Sequence, residues 1–134
     1  MPAGGCYRLA RRSGVYPLHY LTINTTTSRD SASWWVELTP DYRKATKWQV
    51  ERTPESFLKI SSDLDGHTRV FLSAHGSANG GCAHTVGTDC YSALVHRQDD
   101  DNAMWFEQLV DNNGTTILRK ARGSNEGYAL TDRK

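Results

Sequence analysis

The sequence has no run of about 18 consecutive apolar residues, the length that a helix needs to cross a membrane. Its first residues, MPAGGCYRLARR, lack the apolar middle region of a secretory signal peptide. We therefore predict no membrane insertion and a cytoplasmic location, with secretion by an unconventional route as the alternative.

Cysteine is scarce: the chain has three, and an odd number argues against a disulfide framework. Cys82 and Cys90 would close a small loop in an oxidising compartment, and whether they pair stays open. His75 and His84 lie nearby, but the spacing of these four residues matches no standard structural zinc site. The sequence predicts neither a bound metal nor a cofactor.

Catalytic motifs are also missing. The sequence has no GxSxG nucleophile elbow, no HExxH zinc-protease motif and no glycine-rich loop of the phosphate-binding type. These absences predict that the protein is not an enzyme.

Neither sign of charge dominates, since 16 Lys and Arg residues and 15 Asp and Glu residues give a net charge of +1. Such a charge gives no overall attraction to nucleic acid or to a membrane surface. The distribution is uneven: residues 1–52 carry eight basic and four acidic side chains, whereas residues 53–111 carry three and nine. Residues 112–134 are basic again, with five against two. A solvated surface of mixed charge is the simplest interpretation.

Helical periodicity is weak, whereas alternation of apolar and polar residues is common. β-Branched and aromatic residues are abundant, and clusters of Gly, Asn, Asp and Ser interrupt the chain at short intervals. A length of 134 residues fits one domain with one core. The sequence therefore predicts a single all-β domain over residues 1–134.

Two stretches share one layout, RKATKWQVE at 43–51 and DNAMWFEQL at 101–109. In each, polar turn residues and a small Ala precede a Trp, and Trp48 and Trp105 lie 57 positions apart. A fixed spacing of this size indicates a repeated supersecondary unit. The predicted strands are CYRLARR, HYLTIN, SWWVELT and TKWQVER in the first unit, and SFLKISS, RVFLSAH, YSALVHRQ and MWFEQLVD in the second.

The pattern starts a third time with TTILRKA and GYALTD, and then stops. The sequence thus predicts three pseudo-repeats, of which the third lacks two strands. We define unit 1 as residues 5–53, unit 2 as 54–112 and unit 3 as 113–134. The alignment of the unit starts pairs Tyr7, Phe57 and Ile117.

Four-stranded units that end on a Trp strand resemble the β-trefoil, and DNAMWFEQL and KATKWQVE resemble the unit ends of ricin B-type lectins. The opening GCYRLARR is similar to the start of the small fungal lectins of that group. The QxW signature is absent, since Thr46 and Ala103 stand two residues before the Trp residues. The resemblance implies a β-trefoil with pseudo-threefold repeats, its third repeat incomplete, that binds glycans or glycoproteins. A homo-oligomer would complete the third repeat and cover its open strand edges.

Sugar binding needs carboxylates or amides that exchange bonds with hydroxyls, and an aromatic face on which the ring stacks. Each such site is weak, because hydroxyls lose water bonds as they gain protein bonds, so multivalency supplies avidity. The resemblance favours Asp65, His96 and Asn102 of unit 2, with Tyr91 as a stacking platform. Three more polar residues of unit 2 complete the candidate set: Asp63, His75 and Asn79.

Unit 1 has weaker candidates. Trp34 or Trp35 would stack on a sugar and Asp41 would bind hydroxyls, but the first turn of this unit, RSGVYP, has no acid. Strand alternation predicts that one of the two adjacent Trp residues is inside and the other exposed. Trp48 and Trp105 are predicted to be core residues. A single working site is therefore expected in unit 2.

A trefoil scaffold does not fix one function. The alternative to a lectin is a trefoil-type protease inhibitor that acts through the exposed, glycine-rich loop 76–88. A protein-binding trefoil is the third hypothesis. Sugar-competed binding would distinguish a lectin from both.

Overall fold

The computed structural model describes residues 4–11, 19–75, 92–109 and 116–122. These ranges contain ten strands, two short 3-10 helices (Tyr42–Lys44 and Asp101–Ala103) and no α-helix. The strands are β1 (Cys6–Tyr7), β2 (Ala10–Arg11), β3 (His19–Asp30), β4 (Ser33–Thr39), β5 (Trp48–Arg52), β6 (Leu58–Asp63), β7 (Arg69–His75), β8 (Ser92–His96), β9 (Trp105–Leu109) and β10 (Thr116–Lys120). The all-β prediction is confirmed. None of the described helices is long and apolar enough to cross a membrane.

The predicted strands within the described ranges all form, with two differences. CYRLARR is divided into β1 and β2, and HYLTIN continues to Asp30. The extension, TTTSRD, contains no apolar residue, so its periodicity gave no strand signal. Register shifts between Ile23 and Asp30 show that this part of β3 pairs irregularly with β4. GYALTD and the loop 76–88 lie outside the described residues.

All pairs of strands are antiparallel, in the order β1-β5-β6-β7-β8-β4-β3-β2. β9 joins this sheet by pairing with β6, and β10 pairs with β9. β6 therefore has three neighbours. β5 lies along one edge of β6, while β9 and β7 follow one another along the other edge.

The strand registers of unit 1 recur in unit 2. The equivalent pairs are Leu21–Leu38 with Leu72–Val95, and Tyr7–Trp48 with Leu58–Trp105. Residues in the first two strands of the units are thus 51 positions apart, and residues in the last two strands are 57 apart. The six additional residues of unit 2 lie between β7 and β8, in the part of the sequence that contains the predicted loop 76–88. The repeat predicted from the two Trp stretches is therefore present in the backbone pairing.

These registers also correct the alignment of the unit starts. Tyr7 corresponds to Leu58, not Phe57, because both pair with the Trp of their own unit. The pairing of β9 with β10 places Thr116, not Ile117, at the equivalent position of unit 3. The predicted alignment is wrong by one residue in each case. In a strand that shift exchanges the two faces, and Leu58 is indeed buried where Phe57 is only half-buried.

Trp48 and Trp105 are both fully buried, so their predicted core role is confirmed. The indole N–H of Trp48 donates to the carbonyl of Leu21 at 3.2 Å, and that of Trp105 donates to the carbonyl of Leu72 at 2.9 Å. A buried Trp needs such a partner for its polar end. Both bonds run from the fourth strand of a unit to its second strand, so they are repeat-equivalent as well.

The core draws on both units. Alternation decides which side chains enter it: in LKI of β6 the two apolar residues are buried, while Lys59 points to the other face. Each fully buried aliphatic side chain contributes about 1.5–3 kcal/mol of hydrophobic stabilisation. The cluster comprises Leu21, Ile23, Val36, Trp48, Val50, Leu58, Ile60, Val70, Leu72, Val95 and Trp105.

Candidate functional site

Asp65 builds the turn between β6 and β7. Its Oδ1 accepts the backbone N–H groups of His67 and Thr68, each at 2.9 Å. Gly66 follows with φ +85°, a conformation that glycine adopts without strain. The N–H of Leu64 donates to the carbonyl of Thr68 at 2.9 Å and closes the turn. The stretch DLDGH at 63–67 therefore forms a turn, in which Asp65 has a structural role.

The same bonds lower the pKa of Asp65. The backbone N–H of His67 makes the largest contribution, since it stabilises the charged carboxylate, and it lowers the pKa below the ordinary value of 3.8. The second oxygen, Oδ2, has only a long contact with Thr68 Oγ1, at 3.5 Å. Asp65 thus presents an ionised, exposed carboxylate at a fixed position.

Asp63 ends β6 and lies directly opposite Arg69 of β7. Arg69 Nη2 is 3.4 Å from both carboxylate oxygens of Asp63, and its Nη1 donates to Ser61 Oγ at 3.3 Å. Both charged side chains are substantially exposed, so the pair adds only about 0–1 kcal/mol to stability. Its main effect is to orient the Asp63 carboxylate beside the turn.

His96 is the last residue of β8 and is half-buried. Its Nδ1 accepts the backbone N–H of Gln98 at 2.9 Å. This bond fixes the ring and places the proton of the neutral imidazole on Nε2. The predicted third-strand His is therefore held in one orientation.

Phe71 connects these residues, although it was not among the predicted site residues. Directly paired residues share a face of the sheet, and Phe71 pairs with Ser61 on one side and with His96 on the other. Its neighbours along β7, Val70 and Leu72, are fully buried in the core. Alternation in RVFLSAH therefore places Phe71 on the face away from the core, and this was the available signal.

Five residues of unit 2 thus lie together at one end of the β6–β7–β8 ladder. Asp63, Arg69, Phe71 and His96 share the face, and Asp65 is in the adjoining turn. We call these five residues the Phe71 surface. Three of the predicted site residues belong to it, namely Asp63, Asp65 and His96.

Of the four remaining predicted site residues, the structure describes the backbone of His75 and of Asn102. His75 lies six residues along β7 from Arg69, which corresponds to roughly 20 Å in an extended strand. Asn102 belongs to the 3-10 helix that packs against β7. Its backbone is described by the structure, but its side chain is not. Asn79 and Tyr91 lie outside the described residues.

The acidic stretch before Trp105 contacts the first strand of unit 2 through an ion pair. Lys59 forms an ion pair with Asp99, in which the Lys side chain is 17% exposed and the Asp side chain 47% exposed.

Among the described residues, no three or more His, Cys, Asp or Glu side chains are arranged to hold a metal ion.

The candidates of unit 1 have structural roles. Trp34 packs against the core, and Trp35 lies on the opposite face, where it pairs with the fully buried Leu94. Alternation of the two Trp residues is confirmed, but the prediction of an exposed Trp is wrong, since both are half-buried. Asp41 caps the first 3-10 helix by accepting the N–H of Arg43 at 3.0 Å.

A shallow depression lies at the junction of units 1 and 2. Its lining residues are Glu51, Arg52, Thr53, Pro54, Glu55, Lys59 and Met104. The Phe71 surface itself offers a ring, two carboxylates, a guanidinium and an imidazole, a set suited to a ligand rich in hydroxyl groups.

No protein-family model, curated protein or solved structure matches this chain.

Proposed function

We propose that this protein is a carbohydrate-binding lectin of the β-trefoil type, and that it recognises glycans through the Phe71 surface. One observation carries the proposal: the ring of Phe71 shares a face with the Asp63 carboxylate and the His96 imidazole. The apolar C–H side of a sugar would stack on the ring. The carboxylates of Asp63 and Asp65 would accept bonds from vicinal hydroxyls, and His96 and Arg69 would donate.

Preorganisation supports this assignment. The turn N–H groups hold Asp65, Arg69 orients Asp63, and Gln98 fixes the His96 ring before any ligand arrives. Ordering of side chains is one of the costs of binding, so residues that are already held lose less on complex formation. Such a site suits a ligand whose hydroxyls each gain little free energy on leaving water.

The strand order supports the trefoil part of the proposal. β1, β5, β6, β9 and β10 form a continuous antiparallel path, and the two complete units have the same registers. A sixth strand between β10 and β1 would close this path into the barrel of a trefoil. The proposed fold takes that strand from outside the described residues or from a second copy of the chain.

Glycan binding tests the function, with Phe71 as the diagnostic residue. A glycan array identifies the ligand, and titration of that glycan then compares wild type with Phe71→Leu and Phe71→Tyr. An aromatic contact is worth about 0.5–1.5 kcal/mol, so loss of the ring should weaken binding by up to about tenfold. Phe71→Tyr keeps the ring and should bind within about threefold of wild type.

Phe106 provides the matched control, because it is also a half-buried Phe but lies on β9. Phe106→Leu should leave glycan affinity unchanged. Equal affinities of wild type and Phe71→Leu would remove the Phe71 surface as the binding site. Saturable binding to a protease, unaffected by any sugar, would support the inhibitor alternative instead.

A further inference from the structure

Unit 1 has a surface patch at the position equivalent to the Lys59–Asp99 ion pair. By the 51-residue offset of the first strands, Arg8 corresponds to Lys59, and Tyr42 and Asp99 both lie between the third strand and the Trp strand of their unit. Arg8 and Tyr42 are in contact, as are their counterparts: Arg8 Nη1 donates to the Tyr42 hydroxyl at 2.8 Å. The contact between first strand and turn is thus repeated with different chemistry.

The unit 1 contact is aromatic. The guanidinium carbon of Arg8 lies 4.0 Å from the centre of the Tyr42 ring, and Tyr20 meets that ring edge-on with centroids 5.3 Å apart. Arg8 Nε is buried, and the guanidinium stacks on the Tyr42 ring. Tyr42 is 52% exposed although Tyr20 and Arg8 support it. The result is an exposed aromatic ring supported by two neighbouring side chains.

The turn that carries Tyr42 is basic. Arg43 and Lys44 are both exposed and lie in the first 3-10 helix, whereas the stretch before the Trp of unit 2 carries Asp99, Asp100 and Asp101. The acid of this turn, Asp41, accepts the Arg43 backbone N–H and so caps the 3-10 helix. A platform with two exposed cations beside it suits a ligand that combines a sugar face with negative charge.

We propose that this Tyr42 patch, comprising Arg8, Tyr20, Tyr42, Arg43 and Lys44, is a second glycan site selective for an acidic saccharide. The inference depends on the proposed lectin function and adds a ligand class to it. The sugar ring stacks on Tyr42, and its sulfate or carboxylate group pairs with Arg43 and Lys44. The Phe71 surface lies in the acidic unit and disfavours that charge.

The test uses a sulfated disaccharide and its unsulfated counterpart, titrated at low and high salt. Wild type should prefer the sulfated sugar. The double variant Arg43→Gln/Lys44→Gln should weaken that binding about tenfold and remove its salt dependence, since charged hydrogen bonds carry the preference. Tyr42→Leu should weaken it as well, whereas Phe71→Leu should not.

Arg97→Gln is the matched control, because it removes an exposed cation from unit 2 and should change nothing. Two results separate this inference from the proposed function. Neutral-glycan binding that is sensitive to Phe71→Leu, with no preference for the sulfated sugar, overturns the Tyr42 patch alone. Failure of every glycan overturns both. Inorganic sulfate or an acidic peptide that binds as tightly as the sulfated sugar overturns the saccharide assignment.

Discussion

Units 1 and 2 share the strand registers around their Trp residues but differ in the chemistry of the contact between first strand and turn. Both units bury a Trp whose indole N–H binds the second strand. Between first strand and turn, unit 1 has Arg8 against Tyr42, whereas unit 2 has Lys59 against Asp99. The turns themselves are basic in unit 1 and acidic in unit 2.

This difference shows which positions the fold constrains. Inward positions must be apolar and of suitable size, because they fill a shared core. Outward side chains contact mainly each other and solvent. The contact between first strand and turn can therefore be a cation against an aromatic ring, as in unit 1, or a cation against a carboxylate, as in unit 2. A repeated scaffold can therefore present two surfaces that differ in ligand preference.

The equivalence of the two Trp residues predicts the largest effect. Trp48→Ala and Trp105→Ala should each lower the free energy of unfolding by about 3–5 kcal/mol, because each leaves a large cavity in the core. Urea denaturation of the two variants and the wild type measures these losses. A near-neutral result for either Trp would break the equivalence of the units.

Trp→Phe variants sharpen this comparison if the Ala variants do not fold. Phe keeps most of the buried ring but cannot donate to Leu21 or Leu72, so each should lose about 1–3 kcal/mol for the unsatisfied carbonyl. The two losses should be similar, because the two bonds join equivalent strands. Clearly unequal losses would show that one indole bond is incidental to its unit.

The sequence predicted the all-β class, the repeat and the two core Trp residues, because these depend on periodicity and spacing. Strand length and alignment were less accessible. The bulged part of β3 has no apolar signal, and Phe57 and Leu58 are adjacent apolar residues that only pairing distinguishes. Cross-strand registers are long-range, so no local pattern specifies them.

The site was predicted in part for the same reason. Asp63 and Asp65 come from one stretch and His96 from another, and they were selected by residue type and by the family resemblance, without their registers. Alternation in β7 predicts that Phe71 lies on the outer face. It was missed as a site residue because its pairing with His96 is a long-range contact that the local sequence does not specify. His75 was included because it is near the long loop in sequence, yet it lies at the other end of β7.

A smaller effect should separate the two contacts between first strand and turn. Asp99→Asn removes one charge of an ion pair whose carboxylate is 47% exposed, so it should cost at most about 1 kcal/mol at low salt and less at high salt. Tyr42→Phe removes a hydrogen bond from Arg8 to a neutral hydroxyl, and should cost about 0.5–1.5 kcal/mol with little salt dependence. Urea denaturation at both ionic strengths distinguishes them. The same salt response in both variants would contradict the assigned chemistry.

The smallest expected effect is a loss of folding stability at acidic pH that arises from Asp65 in unit 2. The folded-state pKa of Asp65 is lowered by the His67 N–H, so the charged carboxylate stabilises the native turn above the ordinary value of 3.8. That stabilisation is lost as pH falls from 3.8 through the lowered folded-state value. Wild type should therefore lose more stability on acidification than Asp65→Asn, which keeps an acceptor oxygen but does not titrate.

Unit 1 provides the contrast, because its corresponding stretch, RSGVYP, contains no acid. Asp65→Ala should be less stable than Asp65→Asn already at neutral pH, since Ala leaves the N–H groups of His67 and Thr68 without their acceptor. Denaturation curves of the three proteins, from neutral pH to below 3.8, measure both differences. If Asp65→Asn follows wild type at every pH, the charge of Asp65 does not stabilise the turn. Loss of glycan binding in that variant would then report directly on contact between this carboxylate and the ligand.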